Sequence, residues 1–186
     1  MNTVFLDFDR TLFDTNGLIT LMQKYEPSEQ MGTASFISIL EHEVHNLHTL
    51  VFPDVKPTLD TLRSNGYRIV LMTTAENPTA QEIKIHGSGI AHYLNDTIIV
   101  PGLKGEAIAE WLTKYDSGED MHYFIDDVPI VLIDAQERNP RLITFRIERA
   151  PLRPQHEADA LRDTKSTIIT SLDQLLRNIP LETSGN

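Results

Sequence analysis

The stretch Thr3-Val4-Phe5-Leu6-Asp7-Phe8-Asp9-Arg10-Thr11-Leu12 begins as a short apolar run and turns acidic after four residues. Such a run suits a parallel strand covered on both faces. Asp7 and Asp9 then sit at its carboxyl end, where they share one side of an extended segment. Five further runs resemble the first: residues 67–72, 97–100, 122–125, 142–145 and 167–169. The second follows a helical segment, Val55 to Ser64, that stops at Asn65-Gly66, a good helix terminator. Helical spacing recurs at Ala107-Ile108, Trp111-Leu112 and Tyr115, and again at Leu172, Leu175-Leu176 and Ile179. Strands alternating with helices predict a parallel α/β sheet with right-handed crossovers, whose ligands lie at the carboxyl ends of the strands.

Two segments break the alternation. Residues 16–52 contain no strand pattern and read as helices over 18–25 and 33–50, joined by a turn at Glu26-Pro27-Ser28. This is a helical insertion directly after the first strand. Residues 148–166 hold Pro151, Pro154 and many charges, and read as a surface loop.

At 186 residues the chain is long enough to bury a core without staples. Sixteen basic against 27 acidic residues give a net charge of −11. That charge disfavours general binding to nucleic acid or to anionic lipid. The absence of cysteine excludes disulfides, thiolate nucleophiles and Cys-ligated metals. The first ten residues have no basic leader and carry acids in the first apolar run. A secretory signal and a membrane span are therefore not expected, and the expected location is the cytoplasm.

Polar residues gather where the predicted strands stop. The first strand ends at Asp7 and Asp9, the second at Thr73-Thr74, and the fourth at Asp126-Asp127, while Lys104 follows the third. In a parallel sheet these points share one edge. Several carboxylates so close repel one another, and a hard cation such as Mg²⁺ relieves the repulsion. Carboxylates, Mg²⁺, a lysine and a hydroxyl together describe a phosphoryl-transfer site. With no cysteine, a carboxylate is the plausible covalent nucleophile.

These elements in this order resemble the four motifs of the haloacid dehalogenase (HAD) superfamily over nearly the whole chain. The run Val51-Phe52-Pro53-Asp54-Val55 resembles the re-entry from a first-site cap, and Ile168-Ile169-Thr170-Ser171-Leu172 the closing strand and helix. The resemblance implies a three-layer Rossmannoid HAD-like core over residues 1–14 and 53–186, with a small helical cap at 15–52. It implies a Mg²⁺-dependent phosphatase acting on a small phosphorylated substrate. Asp7 would be the nucleophile and Asp9 the general acid/base. Thr73 or Thr74 and Lys104 would hold the phosphoryl group, with Arg10, which stands where many members carry glycine, a further substrate-binding candidate. Mg²⁺ would be held by Asp7, the Asp9 backbone carbonyl, and Asp127 or Asp126. An acid at position 9 favours a phosphatase over a true dehalogenase. Nucleotidase or phosphotransferase action at the same site, and a regulatory phosphate-binding module without turnover, are the alternatives. A short cap is compatible with a larger substrate or with a second subunit, in a homodimer, completing the lid.

Other features read more plainly. His42, His45 and His48 form a polar stripe with a conceivable second metal role, and Trp111 reads as core. Arg146, Arg149 and Arg153 read as part of a solvated charged loop. A phosphoacceptor receiver domain would place its acidic pair in the first strand and its phosphorylated Asp in the third, whereas here the pair Asp126-Asp127 comes fourth, after Thr and Lys, and no GxxxxGK[ST] run supports a P-loop.

Overall fold

The computed structural model describes residues 1–25, 31–150, 157–163 and 165–181. The turn at Glu26-Pro27-Ser28, Pro151, Arg153 and Pro154 lie outside these. Six strands, β1 (Thr3–Leu6), β2 (Arg68–Thr74), β3 (Asp96–Val100), β4 (His122–Asp126), β5 (Ile143–Ile147) and β6 (Thr167–Ile169), form one sheet. Its order is β3-β2-β1-β4-β5-β6, and every pairing is parallel. β1 lies between β2 and β4, with Phe5 level with Val70 and Phe124. The chain therefore reverses its direction of travel across the sheet beside β1, where open α/β sheets form their ligand crevice.

The two-residue period of the strands sorts the core into two layers. Val4, Leu6, Ile69, Leu71 and Ile125 face one side. There they meet α1 (Thr15–Met22), α2 (Thr33–Glu43), α3 (Val55–Ser64), α4 (Pro78–Ser88) and a late 3₁₀ segment, Leu172–Arg177. Phe5, Val70, Met72 and Phe124 face the other, against α5 (Gly105–Tyr115) and α6 (Pro129–Arg138). Trp111 of α5 is core, its ring edge-on to Phe5 at 5.1 Å. The result is a three-layer α/β fold.

The helical insertion shares the first of these cores, through Leu18, Met22, Leu40 and Leu47. Its two ends are tied to each other: Asp14 N donates to Leu50 O at 2.7 Å and Phe52 N to Leu12 O at 3.1 Å. The single helix expected over 33–50 is broken. α2 ends at Glu43, and a 3₁₀ turn, Leu47–Leu50, follows. Asn46 causes the break, because its backbone and side-chain N–H groups both bond back to Glu43, at 2.7 and 2.8 Å. Gly87 of α4 lies against this turn; a Cβ there would come within 2.7 Å of Val44 O and 2.8 Å of Leu47 Cδ1.

The charged stretch after β5 also differs from a simple loop. It contains α7 (Glu157–Arg162). Arg146 and Arg149 are not solvated. Arg146 is buried in β5 and pairs with Glu148 and Asp163. Arg149 forms a two-pronged pair with Asp54, at 2.9 and 3.2 Å, and donates to Thr11 O at 2.9 Å. Its guanidinium lies over the Phe52 ring. Arg149 carries the late segment against the re-entry point of the insertion, where a carboxylate and a carbonyl meet its fork-shaped donor, while Arg146 ties β5 to the end of α7 through Ala160 O and Asp163.

Replacing a glycine inside a helix by alanine ordinarily stabilises, by up to about 1 kcal/mol and by less in the last turn, where Gly87 lies. Gly87→Ala is expected to do the opposite and destabilise by about 1–3 kcal/mol, since a backbone oxygen cannot yield as a side chain does. Chemical denaturation of the two proteins measures the sign.

Candidate active site

The chain leaves β1 in a tight turn. Asp7 N donates to Ile125 O, which continues the pairing with β4 one residue beyond the strand. Phe8 O then accepts from Thr11, Leu12 and Phe13 N–H groups, and the Phe8 and Phe13 rings stack at 4.9 Å. The turn requires a left-handed residue, and Arg10 supplies it at φ +63°. A glycine would adopt that conformation without the steric cost an L side chain meets there.

Asp7 is buried beneath this turn. Lys104, just before α5, reaches it with Nζ 2.5 Å from Asp7 Oδ1 and 2.7 Å from Asp126 Oδ2. The other oxygen of Asp126 accepts Val128 N–H at 2.8 Å. Asp7, Asp126 and Asp127 each offer a carboxylate oxygen, all within 4.8 Å of one another. Asp7 and Asp126 share one ammonium, and the all-oxygen donor set they form with Asp127 at that spacing fits a hard divalent cation.

Burial pushes the Asp7 carboxyl up from 3.8 to about 7; Lys104 opposes the rise, and the Asp126 charge adds to it. Asp126 moves in the same direction, through burial and the neighbouring Asp127 charge. For Lys104 burial alone would lower the pKa, but the charges of Asp126 and Asp7 overcome it and hold the ammonium well above its ordinary value.

Asp9 has a different environment. Lys84 Nζ bonds both of its oxygens, at 2.7 and 2.8 Å, Gln81 Nε2 bonds Oδ2 at 3.0 Å, and Thr15 Oγ1 bonds Oδ1 at 2.8 Å. Burial would raise its pKa, but the Lys84 charge and these donors win, and Asp9 is held below the usual carboxylate value. The same Gln81 amide donates to Thr73 Oγ1 at 2.8 Å, which ties Asp9 to the end of β2.

The structure thus gathers Asp7, Lys104, Asp126 and Asp127 into one cluster and places Asp9 and Thr73 beside it through Gln81. Thr74 is exposed and donates its hydroxyl to Gly102 O at 2.9 Å, and Arg10 Nη2 donates to Asn16 Oδ1 at 2.5 Å. His42, His45 and His48 are all exposed. Sequence reading passed over Gln81, Lys84 and Thr15. The first two carried a signal: they are polar, three apart on one helix, and α4 is fixed just after Thr73 by Pro78 and the Asn77 cap.

No protein-family model matches the chain, and no curated protein matches it significantly. Solved structures do. A HAD phosphatase from Thermococcus onnurineus aligns at TM-score 0.60 and 17% identity, covering 96% of this chain and 97% of the other. The HAD-type protein YfnB of Bacillus subtilis, solved bound to magnesium, gives 0.67 at 11% identity, covering 97% and 99%. The L-2-haloacid dehalogenase of Xanthobacter autotrophicus, with chloropropionic acid covalently bound, gives 0.61 at 12%, covering 95% and 97%. The fold is that of the HAD-like hydrolases. No described helix is long and apolar enough to cross a membrane.

A carboxyl that holds its proton more tightly folded than unfolded favours folding at low pH. That advantage is lost as pH rises from 3.8 towards 7 for Asp7. Asp9 has the opposite sign: its depressed pKa stabilises above 3.8, and the contribution is lost as pH falls through the folded value. In cation-free buffer Asp7→Asn is therefore expected to raise the melting temperature at about pH 8 and to lose that advantage near pH 4. Thermal melts of both proteins at the two pH values test it.

Proposed function

We propose that this HAD-fold protein is a phosphomonoester hydrolase that works through an aspartyl-phosphate on Asp7. The observation that carries the reading is the buried Asp7 carboxylate, bridged to Asp126 by Lys104 and flanked by Asp127. Residues 1–14 and 53–186 would form the catalytic core and 15–52 the cap over its cleft.

Asp7 attacks phosphorus, and the ester P–O bond breaks. The leaving oxygen takes a proton from Asp9, whose own proton comes from solvent before the step. A water molecule then gives a proton back to Asp9 and attacks the phosphoaspartate. Inorganic phosphate leaves and the Asp7 carboxylate is restored. Lys104 neutralises charge on Asp7 and on the phosphoryl oxygens. Thr73 accepts from Gln81 and so keeps its own proton for a phosphoryl oxygen, whereas the Thr74 proton is already given to Gly102.

A divalent cation fits this donor set, and Mg²⁺ would be held by Asp7, the Asp9 carbonyl and Asp127. Asp126, both of whose oxygens accept N–H donors, would serve as a ligand or as a support beside it. The cation would supply neutralisation of the carboxylates and phosphoryl oxygens. Haloacid chemistry also uses a carboxylate nucleophile, but it needs no second acid. The network of Lys84, Gln81 and Thr15 built around Asp9 favours phosphoryl transfer.

With Mg²⁺, the purified protein is expected to release phosphate from a phosphomonoester panel. Asp7→Asn should reduce release to background, and Asp9→Asn should reduce it by about 10²–10⁴-fold. Thr73→Val should cost far more than Thr74→Val. An inactive wild type that Asp7→Asn leaves unchanged would sink the reading. Lys84→Met removes the charge that keeps Asp9 ionised, so the acidic limb of the kcat–pH profile should move to higher pH. An unmoved limb would show that Asp9 titration does not set it.

A further inference from the structure

Beside Asp9 a cavity of about 410 Å³ opens between α1, α2 and the start of α4. Its wall is formed largely by Leu18, Ile19 and Met22 of α1 and Phe36 of α2. Its volume falls near the lower end of the ~300–1,000 Å³ range of small-molecule sites. Two of its residues, Thr15 and Lys84, are also hydrogen-bond partners of the Asp9 carboxylate. The cavity therefore reaches the two residues that hold Asp9, one side chain away from where the proposed mechanism puts the leaving oxygen.

We infer that this cavity receives the leaving group, and that the substrate is the phosphomonoester of a small, predominantly apolar alcohol. The inference rests on the phosphatase reading of the site. Four of the nine residues in this wall are polar, Thr15, Thr33, Asn77 and Lys84, and all but Thr33 have a polar atom engaged. Lys84 is neutralised by Asp9, Thr15 donates to Asp9, and Asn77 Oδ1 caps α4 by accepting Ala80 N–H at 3.0 Å. A sugar or a second phosphate placed here would exchange water for methyl and phenyl groups, and lose hydrogen bonds it cannot replace. An alkyl or aryl body loses nothing there and covers Ile19 and Phe36, with the buried Leu18 and Met22 beneath it. Ile19 is 44% exposed, so among the described residues this part of the wall is open to a ligand.

The test is an n-alkyl phosphate series from methyl to octyl, assayed with Mg²⁺. These alcohols differ little as leaving groups, so differences report the cavity. kcat/KM should rise by roughly fourfold per methylene over the first few carbons, and level off once the cavity is full. Glucose 6-phosphate and adenosine 5′-monophosphate should fall below hexyl phosphate by about tenfold or more. A charge at a partly exposed wall position need not be buried in the free protein. Ile19→Asp should therefore fold and lower the octyl-to-methyl ratio by about tenfold. A flat series, a preference for the sugar or nucleotide ester, or a ratio unmoved by Ile19→Asp overturns the inference, while turnover of methyl phosphate leaves the phosphatase reading standing. No release from any ester, with Asp7→Asn silent, removes both.

Discussion

The arrangement turns on one ammonium held between two buried carboxylates. Lys104 lies within hydrogen-bond distance of both Asp7 and Asp126, and all three residues are buried. One positive charge cannot balance these two acids. In an environment of low polarity that imbalance is costly, and the raised pKa of Asp7 expresses it. The fold tolerates it because the strands beneath are packed on both faces. β1 is fully buried, and the second layer of helices closes over Phe5, Val70 and Phe124. The site's chemistry is thus a local conflict held in place by a core that is otherwise consistent.

Asp9 shows how two acids two residues apart acquire different properties. Asp7 meets Lys104, which it shares with another acid. Asp9 has Lys84 to itself, together with the Gln81 amide and the Thr15 hydroxyl. One carboxyl is pushed up and the other held down, and pairs separated in this way are suited to distinct acid–base roles. Gln81 and Lys84 come from α4, and α4 is seated against the turn after α2 through the close approach at Gly87. The helical insertion therefore bears on the Asp9 environment from both sides, through Thr15 at its start and through the helix it packs against. The apolar space between α1 and α2 is lined by two of the residues that hold the same carboxylate, Thr15 and Lys84.

Much of the architecture could be read from the chain because its signals are local. An apolar run that stops at an acid marks a strand and its carboxyl end together, and β1, α3 and β6 appear where those signals lie. Misreadings arose where side chains compete with backbone. Asn46 breaks a helix whose apolar spacing continues past it, and Arg146 is a charged residue that β5 buries against Asp163.

The amino-acid order alone determined the alternation of strands and helices, and hence that Asp7, Thr73, Lys104 and Asp126 would meet at one edge. Parallel pairing with crossovers leaves little choice once the strands are known. Only the tertiary structure decided how charge and space are distributed at that edge. The pairing of Lys84 with Asp9 joins residues 75 positions apart. Such a contact depends on how two helices seat against a sheet, and no short-range pattern encodes it. The same packing leaves an apolar hollow beside the acid, because α1 and α2 turn methyl and phenyl groups towards a space that the core does not fill.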